Sequence, residues 1–226
     1  MGTLCTGIVL TMLLTGLQRN ARFTVIDVER VNIVDSAGGL RMVIANNERS
    51  PRIMHRGAPI GRPDGGRPGI IFYNDEGTES GGLIFSGRTV NGRTTSVGSL
   101  TFDQYERDQA LALQAVEDDG TRRAGLTILD YPGPTSAELV RLADSIATLP
   151  AGAGRTAARR RLQELGSGRL RVYVGRSRDD GASLVSLSSA DGRERLRLVV
   201  DSMGTAAIEF LGDSGQVVKR IGTNEP

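Results

Sequence analysis

Glycine turns at a regular spacing constrain this chain more than any other feature. Gly181, Gly192, Gly204 and Gly215 fall eleven or twelve residues apart, each preceded within three residues by an aspartate: Asp180, Asp191, Asp201 and Asp213. Between the turns lie short apolar runs: Val172 to Val174, Leu184 to Leu187, Leu196 to Val200, Ala207 to Phe210 and Val217 to Ile221. Glycine reaches positive φ without steric cost, and aspartate bonds its own backbone in a turn, so the pair marks hairpins. The same device recurs around Gly38, Gly77 and Gly120. Even spacing of this kind predicts a mainly β protein of repeated antiparallel hairpins: meander, sandwich, barrel or solenoid. Composition agrees: 30 glycines and 4% aromatic residues suit a turn-rich β chain, and 24% charged residues argue against wholesale disorder. Acidic turns invite a calcium reading, but none matches an EF-hand loop or a calcium-binding nonapeptide, and backbone hydrogen bonding accounts for the aspartates.

Two stretches break the pattern. Thr135 with Glu138 forms a capping-box pair, and Leu139, Leu142, Ile146 and Leu149 recur at helical spacing until Pro150. Arg155 to Leu165 resumes as a second helix, which predicts a helical hairpin inserted over residues 135–168. The other exception is Leu4 to Leu17, fourteen residues without a charge at the N-terminus. It is shorter than the ~20 residues of a spanning helix and reads as a membrane anchor or an uncleaved signal segment. Arg19 and Arg22 follow it; by the positive-inside rule they favour a cytoplasmic body, whereas a terminal export-type segment favours one outside. The organisation expected is an anchor over 1–22, a β domain over 23–134 with strands from Phe23, the helical insertion, and a hairpin-repeat region over 169–226 packing with the first β domain.

Candidate chemistry concentrates in two places. The loop Asn46 to Pro68 is rich in proline and glycine, and Arg52, Arg56, Arg62 and Arg67 in it are candidates for an anion-binding lip, because a guanidinium fork matches phosphate and carboxylate. A solvated surface loop is the plainer alternative. The stretch Gly69 to Gln109 alternates apolar runs with turns and ends in Phe102-Asp103-Gln104-Tyr105-Glu106-Arg107-Asp108-Gln109. Its Asp75, Glu76, Glu79, Asp103, Glu106 and Asp108, with Tyr105 assisting, are candidates for paired-carboxylate acid–base work. The plainer alternative is that these side chains satisfy backbone groups at a sheet edge. With one cysteine, Cys5, and one histidine, His55, neither a disulfide framework nor a metal-spaced Cys/His set is available, so no metal and no cofactor is expected. A formal charge of +2 without a long basic run excludes nucleic acid as an expected partner.

The entry FTVIDVERVNIV, the centre GIIFYNDEGTESGGLIF, the segments SLTFDQYERDQ and RRAGLTILD, and the closing RLRLVVDSMGTAAIEFLGDSGQVVKRI together resemble a family of bacterial membrane-anchored or exported β-rich proteins to which no activity is assigned. The resemblance covers most of the chain after Phe23, and FDQYERDQ is its most specific piece. It implies an anchored body outside the cytoplasm and brings no catalytic residue with it.

Two functions follow as expectations. The first is a membrane-tethered structural or binding protein, attached through residues 4–17 and able to self-associate or bind a protein partner. The second is a carboxylate-based hydrolase outside the cytoplasm. Whether the carboxylates meet in a cleft or scatter over turns separates them.

Overall fold

The computed structural model describes residues 22–61, 66–177 and 180–222. The anchor segment Leu4–Leu17 therefore lies outside the described residues, and no described helix is long and apolar enough to cross a membrane. The strands are β1 (Arg30–Val34), β2 (Leu40–Ala45), β3 (Met54–His55), β4 (Ala58–Pro59), β5 (Gly69–Tyr73), β6 (Glu79–Val90), β7 (Arg93–Asp103), β8 (Gln109–Asp118) and β9 (Thr121–Asp130). Two helices follow, α1 (Ser136–Ala147) and α2 (Ala153–Gly166), and then β10 (Arg169–Arg176), β11 (Ser183–Ser188), β12 (Glu194–Val200), β13 (Ala206–Leu211) and β14 (Val217–Gly222).

Twelve of these strands form one antiparallel sheet in the order β1-β2-β5-β6-β7-β8-β9-β10-β11-β12-β13-β14. The fold is a meander, and each strand lies beside its chain neighbour except where β3 and β4 pair separately above the sheet. β10 pairs with β9, so the helical hairpin is an excursion from a single sheet that continues through it. The capping box is formed: the Thr135 hydroxyl accepts from the Glu138 N–H, and Glu138 accepts from the Thr135 N–H.

The turns explain the meander. Asn91-Gly92 and Asp119-Gly120 are two-residue hairpin loops with both residues at positive φ (51° and 79°; 51° and 84°), the geometry that matches strand twist. Most of the others are five-residue loops of one design. The first residue's N–H donates to the fifth carbonyl, and the N–H of a fourth-position glycine donates back to the first carbonyl, as in Asp35–Gly39, Asn74–Thr78, Ser189–Arg193, Asp201–Thr205 and Gly212–Gln216. Asp35, Asn74 and Asp201 each accept two further backbone N–H bonds inside their own turn. Those bonds hold the carboxyls of Asp35 and Asp201 below their ordinary range. The acidic turns serve the backbone, and among the described residues no group of three or more His, Cys, Asp or Glu could hold a metal ion.

Two expectations need correction. The first strand begins at Arg30 and not at Phe23; Phe23, Val25, Ile26 and Val28 lie exposed ahead of it. The Pro/Gly loop is not without structure, since β3 and β4 make a small ribbon in it. That ribbon closes the buried cluster Val43, Ala45, Ile71 and Tyr73, against which Leu40, Met54 and Ile84 pack. One face of the sheet is therefore covered near β2, β5 and β6. Farther along, the same face carries a polar row beside an apolar one, Leu184, Val199 and Ala207. Tyr173 lies over Gly125 and Gly175, where a Cβ would come within 2.8 Å of its ring or 2.9 Å of its hydroxyl. Beyond it, Ser186, Arg197, Glu209 and Arg220 stand in one cross-strand row, with buried Glu209 3.6 Å from Arg197 and 3.2 Å from Arg220.

Candidate functional site

The candidate carboxylates and the phenol divide into two groups. Glu79, Asp103, Glu106 and Asp108 line one cleft of about 270 Å³ between the covered face of the sheet, the β3–β4 ribbon and the start of α1. Asp75, Glu76 and Tyr105 stay outside it. Asp75 is fully exposed, 3.5 Å from Arg41, and the Tyr105 hydroxyl donates to Glu76 at 2.8 Å on the surface.

Inside the cleft the carboxyls differ in environment. Glu79 is forked with Arg67 through bonds of 2.5 and 3.1 Å, so it meets its counter-charge directly. Glu106 is likewise paired, with Arg56 at 2.7 Å. Asp103, the last residue of β7, receives no hydrogen bond or ion pair from any described residue. Burial, then the charges of Glu79 and Asp108, push its carboxyl up from 3.8 to about 7, although Arg67 pulls the other way. A carboxyl poised there can hold or release a proton near neutral pH. Tyr73, in the adjoining core, has its phenol pushed up to about 12, mainly by burial and then by Glu79.

The three described arginines of the candidate lip each bond within the chain. Arg67 serves Glu79, while Arg56 donates to Glu106 at 2.9 and 2.7 Å and stands 3.8 Å from Glu76. Arg52 donates to the Gly61 carbonyl. Arg62 lies outside the described residues. His55 lines the cleft from β3.

FDQYERDQ is the turn between β7 and β8, and it bonds to the segment that opens α1. The strand ends at Asp103, so alternation of side chains does not continue through Gln104 to Asp108. Gln104 exchanges two bonds with the Tyr131 backbone: its carbonyl accepts from Tyr131 N–H at 3.0 Å and its amide donates to Tyr131 C=O at 3.4 Å. Arg107 donates to the Gly133 carbonyl at 3.1 Å, and the Ser136 N–H, opening α1, donates to the Glu106 carbonyl at 2.9 Å. Glu106 takes positive φ (52°), as does its partner Arg56 (49°). Left-handed non-glycine residues persist only where surrounding contacts hold them. Here the ion pair and the bond from the helix N-terminus supply those contacts.

The opposite face of the sheet holds what residue-by-residue reading did not bring out. Following the register from edge to edge, one row of side chains reads Val31, Ile44, Ile70, Leu83, Leu100, Leu113, Leu126, Val174, Val185, Leu198, Ile208 and Ile221. Every strand of the sheet contributes an aliphatic residue. The next row reads Ile33, Met42, Phe72, Gly81, Phe102, Leu111, Ile128, Val172, Leu187, Leu196, Phe210 and Lys219, apolar except at Gly81 and the edge lysine. The rings of Phe72 and Phe102 stack at 6.3 Å across Gly81, where a Cβ would strike the Thr101 carbonyl at 2.2 Å. Ile44, Phe102 and Leu113 are 44%, 49% and 54% exposed, and Leu198 is 42% exposed at the far end. Monomeric proteins rarely leave a contiguous apolar surface of this extent in water. The signal was in the alternation of each strand, but only the pairing register aligns the strands into rows. Comparison with protein-family models, with curated proteins and with solved structures finds no match.

Proposed function

We propose that the chain is a membrane-tethered structural or binding protein that works by docking through the open apolar face of its sheet. The twelve-strand aliphatic row carries this reading, because an antiparallel sheet commonly packs one face and leaves a polar, solvated one opposite. The uncharged run Leu4 to Leu17 supports the tether, and the body is assigned outside the cytoplasm on the family resemblance. Cys5 is the only cysteine, so a Cys5→Ser, Leu113→Cys full-length chain can be probed in its own membranes with a charged maleimide. Docking predicts that the thiol introduced by Leu113→Cys is protected, while one introduced by Arg159→Cys on the exposed side of α2 reacts. Equal labelling at both positions would sink the proposal.

A second reading rests on one observation: Asp103, pushed up to about 7, lines a cleft together with Glu79 and Asp108. This supports acid–base hydrolysis, with Asp103 as the acid and Asp108 as the second carboxyl of the pair. Folded Asp103→Asn protein losing hydrolysis of a chromogenic glycoside or ester would favour it. Absence of turnover in the wild type across such substrates counts against it.

A further inference from the structure

The docking reading above leaves its partner open; resting on that reading, we infer that the partner is a second copy of this chain, packed face to face so that two sheets form a sandwich.

Size is the first argument. Twelve strands at about 4.8 Å span about 53 Å, and two side-chain rows cover about 14 Å along the strands. Each copy then offers about 750 Å², or about 1,500 Å² over both, which lies within the range of stable, specific interfaces.

Chemistry is the second argument. The row is aliphatic on every strand, from Val31 at one edge to Ile221 at the other. A two-fold operation therefore sets apolar against apolar whichever in-plane axis is used, as a self-complementary interface requires. Side chains standing on two such faces interdigitate at a sheet separation of about 10 Å. A lipid surface suits the face less well. Interfacial elements carry tryptophan or tyrosine at the boundary with basic residues around them. The chain has no tryptophan, and none of its four tyrosines stands in either row. Lys219, on β14, is the one basic residue in the two rows, and it stands at the sheet edge. Sheet size is the third argument. Open twisted sheets rarely pass ~10 strands without curling, flattening or dividing into two packed layers, and a second copy would supply the second layer to this sheet of twelve.

The test uses full-length protein in mild detergent, with bound detergent subtracted, analysed by sedimentation equilibrium beside a Leu113→Asp, Leu198→Asp variant. The expected result is twice the chain mass for the wild type. The variant should be a monomer with an unchanged far-ultraviolet β spectrum, its dissociation constant raised at least 100-fold. Should the variant not fold, Cys5→Ser, Leu113→Cys protein treated with a short bismaleimide is expected to give crosslinked dimer, and its absence overturns the inference. A wild type that stays monomeric to 100 µM overturns it, and so does a variant that associates as the wild type does. If the wild type is monomeric while the thiol introduced by Leu113→Cys remains protected in membranes, the docking reading stands and the second copy fails. Co-sedimentation of that monomer with phosphatidylglycerol vesicles would then identify lipid as the occupant.

Discussion

Replacing Asp103 by asparagine should raise stability, and only at neutral and alkaline pH. An aspartate held at the end of β7 by arginine or backbone N–H groups would lose stability on neutralisation. The structure reverses that sign. The carboxyl receives no bond from a described residue, and its affinity for a proton is raised from 3.8 to about 7, first by burial and then by Glu79 and Asp108. The folded state therefore holds the proton more tightly than the unfolded state, so stability falls as pH rises from about 4 through about 7 and levels off above. About three pH units at ~1.4 kcal/mol each set a ceiling of about 4 kcal/mol, and access of water to the cleft brings the expectation to about 2 kcal/mol. For a chain of this length that corresponds to about 4–8 °C in Tm. Differential scanning calorimetry of Asp103→Asn against wild type should show this gain at pH 8.5 and almost none at pH 4. A loss at pH 8.5, or an equal shift at both pH values, would refute the reasoning.

Three further outcomes follow from the same contacts. Gln104→Ala removes both bonds to the Tyr131 backbone and should cost about 1–2 kcal/mol, read as faster amide exchange at Tyr131 and in the first turn of α1. Arg67→Met leaves Glu79 without its forked partner and should cost about 3 kcal/mol in urea unfolding, most of it restored by adding Glu79→Leu. Deleting residues 1–20 should leave a β-type circular dichroism spectrum, since every strand and helix described begins at Arg30 or later.

Much of this architecture was legible because local chemistry decides it. The glycines at 181, 192, 204 and 215 all take positive φ in turns, and Thr135 caps the helix it was expected to cap. Phe23 to Val28 misled because apolar residues beside a strand carry the same signal as the strand itself. The candidate site was legible only in part. Glu79, Asp103 and Asp108 are distant in sequence from the loop and helix that roof them, and Asp75 and Glu76 resemble them until the turn directs them outward. Arg67 stood out as an anion binder, but its anion is Glu79, twelve residues away. The apolar face was out of reach for a different reason. Alternation shows that each strand has an apolar side, whereas the alignment of those sides depends on eleven separate registers.

Packing of the apolar face on the same face of a second copy can be measured by pulsed dipolar spectroscopy on full-length Cys5→Ser, Leu113→Cys protein carrying a nitroxide at the introduced thiol. Leu113 lies near the middle of the aliphatic row, so face-to-face packing at about 10 Å between sheets predicts one short distance between copies, about 15–25 Å with the label arms. Copies joined edge to edge, β14 beside β1, would separate the labels by about 58 Å, twelve strand spacings. A distance in that long range, or no coupling between copies at all, would contradict the account.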